Sequence, residues 1–256
     1  MSHHRLEVRN LHYSYPDGHE AIKDMSFTIL HGESVGVIGA NGSGKSTLLM
    51  LIMGVLFPDR GEVRVGDVAV TGKTLAMIRQ RLGLVFQESD DQLFMTTVYD
   101  DVAFGPRNYG LDEEEVRARV EEALEMVGIP HLSDRAPYKL SGGEKRAAAI
   151  ASILSMKPDM LIMDEPTSGL DPGSRRRLIE ILKGFSHTKI ITSHDLDMVL
   201  ETCERIIIIN RGEIIASGPA ADILNDGGLL AGCGLELPLS RQNCPVCGSH
   251  KRRENE

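Results

Sequence analysis

Gly39-Ala40-Asn41-Gly42-Ser43-Gly44-Lys45-Ser46-Thr47 decides how this chain folds. The apolar run before it, residues 34–38, reads as a buried strand, and the apolar stretch after it, 46–53, reads as a helix. Glycines in such a loop let successive backbone N–H groups turn toward one anion, and the helix N-terminus adds its positive dipole end. Alone the string is compatible with a Gly-rich turn; between strand and helix it reads as a phosphate-binding P-loop. In that reading Lys45 reaches the β- and γ-phosphates of a nucleotide, while the Ser46 hydroxyl ligates Mg²⁺. Nucleotide binding follows. What the nucleotide drives does not.

Upstream of the loop, residues 6–8 and 25–29 read as strands, and so do residues 62–65 beyond it. Asp17-Gly18 and His31-Gly32 punctuate this first third as turns. The middle changes period: Val116, Val120, Ala123, Leu124 and Val127 share one helical face. Asp112 is placed to cap that helix with Glu115 three residues on, and Gly128 to stop it. A second, alanine-rich helix is expected over 141–155. Then come a strand at 160–163, a helix near 174–183, a strand at 189–192, a helix over 195–203 and a strand at 206–210. The outer segments predict a doubly wound sheet, and the middle a helical insert. Periodicity fades from Asn225; Gly227-Gly228 and the polar run 251–256 predict a mobile tail.

A chain of 256 residues, 41% hydrophobic and 25% charged, suits one α/β domain with at most a subdomain or short appendage. The formal net charge of -9 counts against non-specific nucleic-acid binding. No run approaches the roughly 18 apolar residues of a spanning helix, and the polar start has no signal-peptide core. The expectation is a soluble, intracellular chain, unless a partner holds it at a membrane. Ser2-His3-His4 reads as solvated. Of the four cysteines, Cys203 stands alone, while Cys233, Cys244 and Cys247 gather near the end, as free thiols or metal ligands.

Met160-Leu-Ile-Met-Asp164-Glu165 complements the P-loop. An Asp-Glu pair at a strand end is compatible with a solvated helix start. Paired with a P-loop, it puts Asp164 near the metal and Glu165 beside the γ-phosphate, where it can polarise the attacking water. Leu140-Ser141-Gly142-Gly143-Glu144, upstream of that pair, is compatible with a capped helix start, and it has the makings of a second anion site, because the serine and glycine amides open a helix. This string resembles the signature motif of ABC ATPases.

The resemblance covers about residues 6–221 and implies further roles. Tyr15 would stack on adenine, where otherwise it is a core tyrosine. Gln87 would couple metal and water to the helical insert, Asp171 would belong to the D-loop, and His194 would contact the γ-phosphate. The implied fold is a P-loop NTPase: a RecA-like doubly wound core with an antiparallel β subdomain and a helical subdomain near 88–157. The ATPase domain would span 1–224 and a tail 225–256. Gly39, Asn41, Gly42, Ser43, Gly44, Lys45, Ser46 and Thr47 would hold ATP. Ser141, Gly142, Gly143 and Asp171 would contribute from a second cassette, identical or closely related. Ser46, Gln87 and Asp164 would hold Mg²⁺; Glu165, His194, Gln87 and Lys45 would carry catalysis.

Residues 48–139 are too few for the long coiled coil of DNA-repair relatives, and they lack sustained heptads. Ser89-Asp-Asp-Gln92-Leu-Phe94 and Thr97-Val-Tyr-Asp-Asp101-Val-Ala-Phe-Gly-Pro106 look like the ATPase of energy-coupling-factor importers, nearest the cobalt and nickel type. Glu88-Ser89 departs from the Asn-Pro usual there. That resemblance implies an integral membrane scaffold and a substrate-binding subunit as partners, with Gln92 to Phe94 helping to dock the scaffold. It also implies a peripheral place on the cytoplasmic face of the membrane, with no nucleic-acid partner. Importers of vitamins or other micronutrients, and a soluble ABC ATPase acting on nucleic acid, are the alternatives. The tail's Cys244-Pro-Val-Cys247 has the shape of a zinc knuckle, and Cys233 and His250 stand at C-x10-C-x2-C-x2-H spacing. The other reading is an exposed reactive pair.

Overall fold

The computed structural model describes residues 5–242. Strands β1 (Leu6–Ser14) and β2 (Glu20–Ile29) pair as a hairpin, and β3 (Ser34–Ile38) leads into α1 (Lys45–Ile52). Next come β4 (Arg60–Val65), β5 (Val68–Ala69), α2 (Leu75–Arg81), β6 (Leu82–Val85), α3 (Val98–Asn108), α4 (Glu113–Met126) and α5 (Gly142–Leu154). The chain continues through β7 (Met160–Asp164), α6 (Pro172–Gly184), β8 (Thr188–Thr192), α7 (Leu196–Thr202), β9 (Arg205–Asn210) and β10 (Glu213–Pro219), and then α8 (Ala220–Ile223) and α9 (Gly227–Gly232).

Two sheets result. One is antiparallel, in the order β2-β1-β4-β5. The other runs β10-β9-β3-β8-β7-β6, parallel except for the edge strand β10. A parallel sheet is covered on both faces, so its strands read as continuous apolar runs rather than alternations. The run Ile206 to Ile209 follows this rule: Ile206 and Ile208 join the core under the helical subdomain, while Ile207 and Ile209 join the core under the antiparallel sheet. Burying each isoleucine contributes roughly 1.5–3 kcal/mol before chain entropy is subtracted.

The helical subdomain is built on α3, α4 and α5. Asp112 caps α4 by accepting from Glu115 N, and Gly128 follows the helix at φ 75°. Ser141 and Glu144 form a reciprocal capping box at the start of α5. Pro106 lies inside α3 and cannot donate to the Val102 carbonyl one turn back. The Ser155 hydroxyl, just past α5, donates to that carbonyl instead at 2.7 Å, so the interruption becomes a helix–helix tie.

The tail departs from expectation. Residues 227–242 do not leave the domain: Asp226 caps α9, Leu230 and Cys233 are buried, and Leu224 is 0% exposed beneath them. The Asp197 carboxylate, in α7, accepts from Leu239 N at 2.9 Å and Ser240 N at 3.1 Å, which fixes the end of the segment. Apolar residues at 229, 230, 235 and 237 pack without a helical or strand period, so periodicity alone could not find them. Cys233 is therefore part of the core, not an exposed ligand. Cys244, Cys247 and His250 lie outside the described residues.

Candidate functional site

The P-loop leaves the C-terminal end of β3 at the middle of the parallel sheet, the crevice position where α/β sheets bind ligands. Gly44 turns at φ 109°, and a Cβ there would stand 2.7 Å from the Ala21 carbonyl of β2. Only glycine fits that left-handed, crowded position. The loop is braced again from the turn after β9, where Gly212 N donates to the Ser43 carbonyl at 3.0 Å. Lys45 is buried, and its ammonium donates to the carbonyls of Gly39 at 2.7 Å and Ala40 at 3.1 Å. Burial pushes its pKa below the ordinary lysine value, against the opposing pull of Glu165 and Asp164. The Ser43 hydroxyl is buried without a protein partner, an orphan polar atom within the P-loop.

A cavity of about 650 Å³ opens over this loop. Tyr15, Gly39, Asn41, Gly42, Gly44, Lys45, Ser46, Thr47, Gln87, Asp164, Glu165 and His194 all line it, so the structure brings together residues from five separate parts of the chain. Tyr15 sits at one wall: its hydroxyl pairs with Thr47 Oγ1 at 3.0 Å, and His19 stacks on its ring. Asp164 accepts from the Thr192 hydroxyl at the end of β8, which orients one carboxylate oxygen. Glu165 adopts φ 46°, a sparsely populated conformation for a non-glycine residue. Its amide donates to the Thr192 carbonyl at 3.0 Å, while its Oε2 accepts from His194 N at 3.1 Å. His194 Nδ1 also lies 2.7 Å from that oxygen, on a side chain that is 65% exposed against 10% for Glu165. The strained backbone thus holds a sheltered carboxylate at the cavity beside an exposed imidazole.

The signature residues are elsewhere. Ser141 and Gly143 line a second cavity of about 290 Å³, together with Asp171, Ser174 and Arg146. A Cβ on Gly143 would stand 2.0 Å from Ser174 Oγ, so the start of α5 packs directly on the start of α6. Asp171 is the N-cap of α6, accepting from Gly173 N, Ser174 N and the Ser174 hydroxyl. These bonds, led by that of Ser174, hold its pKa below the ordinary aspartate value. Its carboxylate is committed to the cap and does not reach the P-loop cavity, and Gly142 lines neither cavity. The P-loop residues and the residues around Ser141 thus line two separate cavities.

The model of the ABC transporter family matches residues 22–168, which include the P-loop, the signature and the Asp-Glu pair. This chain is an ABC transporter ATP-binding protein. A putative ABC transporter ATP-binding protein of Geobacter sulfurreducens is 59% identical over 97% of this chain and 100% of its own length. The energy-coupling factor transporter ATP-binding protein EcfA of Methanothermobacter thermautotrophicus is 47% identical over 91% of this chain and 76% of its own. Among solved structures, cbiO1 from Clostridium perfringens, part of the ABC transporter complex cbiONQ, superposes with a TM-score of 0.80. It is 37% identical, covering 89% of this chain and 93% of its own. A dimeric ATP-binding cassette in a post-hydrolysis state with ADP and Pi has a TM-score of 0.76 at 28% identity, covering 84% and 98%. The fold is that of the ABC cassette, and as an ABC ATPase the protein binds and hydrolyses ATP.

Three features of this cassette escaped sequence reasoning. Gly234 and Leu235, from the segment after α9, line the P-loop cavity, with Gly234 lying against Ala40. Asp226 with Leu229 three residues on carried a helix-start signal, but nothing local ties that helix to the P-loop. Gln92 turns inward to α5, and Leu93 is buried, so of the three residues expected to face a membrane partner only Phe94 is exposed. Arg146 is buried at the base of the signature cavity. Among the described residues no helix is long and apolar enough to cross a membrane, and no His/Cys/Asp/Glu cluster forms a metal site.

Proposed function

We propose that this chain is the ATPase subunit of an energy-coupling-factor type importer, acting in pairs under an integral membrane scaffold and a substrate-binding subunit, with cobalt or nickel ions as cargo. The 47% identity with EcfA over nine-tenths of the chain carries this reading. The segment 89–106 and the likeness to cbiO1 support it. The protein would sit peripherally on the cytoplasmic face of the membrane through those partners.

In this reading Tyr15 stacks on adenine, the P-loop amides and Lys45 hold the phosphates, and Ser43 finds its partner there. Ser46, Gln87 and Asp164 offer hydroxyl, amide and carboxylate oxygens on one cavity, a donor set that fits a hard divalent cation. Mg²⁺ bound there would neutralise phosphate charge. Ser141 and the amides of Gly142 and Gly143, with Asp171 nearby, close on the nucleotide of a partner cassette. Glu165 orients and accepts a proton from the attacking water; that water's oxygen bonds to the γ-phosphorus as the β–γ bridge breaks and ADP leaves. His194 holds Glu165 in place and contacts the γ-phosphate. Closure excludes other water, and hydrolysis removes the ligand that favours the closed pair.

The test isolates the tagged protein from membranes and follows cobalt and nickel uptake in cells lacking it. Membrane subunits should co-purify and uptake of one metal should fail. Normal uptake of both with failed vitamin uptake would reassign the cargo. Absence of membrane partners, with hydrolysis stimulated by duplex DNA, would overturn the importer reading.

A further inference from the structure

Two side chains hold the segment that carries Gln87, and both tie it to the signature helix. Arg146, in the second turn of α5, is 4% exposed; its guanidinium donates to the Phe86 carbonyl at 2.6 Å and to the Gln87 carbonyl. Gln92 grips the other side. Its Oε1 accepts from Phe86 N at 3.2 Å, and its Nε2 donates to the Ala149 carbonyl at 2.7 Å and Ser152 Oγ at 2.9 Å. Strand β6 ends at Val85, and the Phe86 and Gln87 side chains are exposed, so these bonds hold the segment from its backbone.

Arg146 also belongs to the other half-site, because it lines the cavity of Ser141 and Gly143. Burying a guanidinium is costly unless hydrogen bonds compensate; here two carbonyls accept from Nη1 and Nη2, while the buried Nε has no protein partner. From Arg146 to Leu154 every residue of α5 is buried, so the helix is a packed rod leading to the signature. A rigid element with both sites attached is the physical requirement for coupling between them.

We propose that Arg146 and Gln92 are positioning residues that lock Gln87 to the signature helix, so that nucleotide at the P-loop cavity resets Ser141 and Gly143, which face the partner's nucleotide. This rests on the roles proposed above for Gln87 and the signature, but not on the importer assignment. Truncating Arg146 leaves the two carbonyls unpaired, while Gln92→Glu keeps the acceptor for Phe86 N and loses the donors to α5.

The test is hydrogen exchange of the full-length protein with a non-hydrolysable MgATP analogue, at concentrations where light scattering gives a monomer. In the parent protein, nucleotide should slow exchange at 39–46 and also at 141–145. In Arg146→Met and in Gln92→Glu, nucleotide affinity should stay within about twofold and protection at 39–46 should persist, while protection at 141–145 falls at least about fivefold. Arg146→Lys, which retains a donor, should recover part of it. Undiminished protection at 141–145 in both variants overturns the proposal, as does a parent protein showing none there. Parallel loss at 39–46 with a lowered Tm would reduce both residues to a structural role. Failure of cobalt and nickel uptake would touch the importer reading alone.

Discussion

The P-loop cavity and the signature cavity are built from the same kinds of parts, a helix start with glycines and a hydroxyl, yet they differ in how finished they are. Around the P-loop, lysine and carboxylate are buried, and the side chains converge on a space of about 650 Å³. Around the signature, Ser141 is exposed, Glu144 and Asp171 are spent on capping, and the cavity is about 290 Å³. The first surface is a site. The second is a pair of capped helix starts whose side-chain hydrogen bonds are already made. Capping satisfies the polar groups at the start of α5 from within the helix, whereas the P-loop holds a buried Ser43 hydroxyl with no protein partner.

Removing chemistry from the finished half should have the largest effect. Glu165→Gln should lower phosphate release on the order of 10²–10⁴-fold while ATP binding persists; release within tenfold of the parent would end its role as base. In the other half, Gly143→Ala forces a Cβ into Ser174 Oγ. Such overpacking costs about 1–3 kcal/mol. It should weaken ATP-dependent association of two cassettes roughly 5–150-fold, measured by light scattering, and leave P-loop affinity unchanged. Equal loss of both would mean that the halves are not separable.

The two halves should also differ in pH response. The lowered pKa of Lys45, caused by burial, means that its charge is lost before that of an ordinary lysine as pH rises. Between its folded pKa and the ordinary value the unfolded chain binds the extra proton, so stability rises with pH there. Nucleotide affinity should fall over the same window, and Lys45→Arg should remove that alkaline limb in a binding titration. Asp171 has the opposite limb. Its folded pKa is depressed, so the stability it gives is present above the ordinary aspartate value and lost as pH falls through the folded one. Asp171→Asn should therefore flatten the acid limb. Losing the α6 cap altogether in Asp171→Ala should lower Tm by about 2–4 °C, the smallest of these effects.

What was legible in the sequence was local. Asp112 with Glu115, Ser141 with Glu144, and the P-loop between strand and helix are contacts within a few residues, and each appears where its spacing implies. Legibility failed where a side chain chooses between solvent and a distant neighbour. Gln92 reads as surface until α5, nearly sixty residues on, supplies two acceptors. Asp171 shows what the spacing does not reveal: its carboxylate caps the helix that it starts. Leu235 reads as tail because it packs on the core and lines the P-loop cavity, which no period in its own sequence records.

The strand that carries the P-loop lies between β8 and β9, partners from Thr188 onward, and the cavity wall is finished by Leu235. On a ribosome the antiparallel hairpin of β1 and β2 can form as soon as its residues emerge. The P-loop cannot: its strand waits through α1 to α7 for neighbours, a long-range closure that is slow for any chain. During that wait the apolar run of β3 has no sheet to join, so ATP cannot help the nascent chain fold. The nucleotide can stabilise only a molecule in which β8 and β9 have already been made.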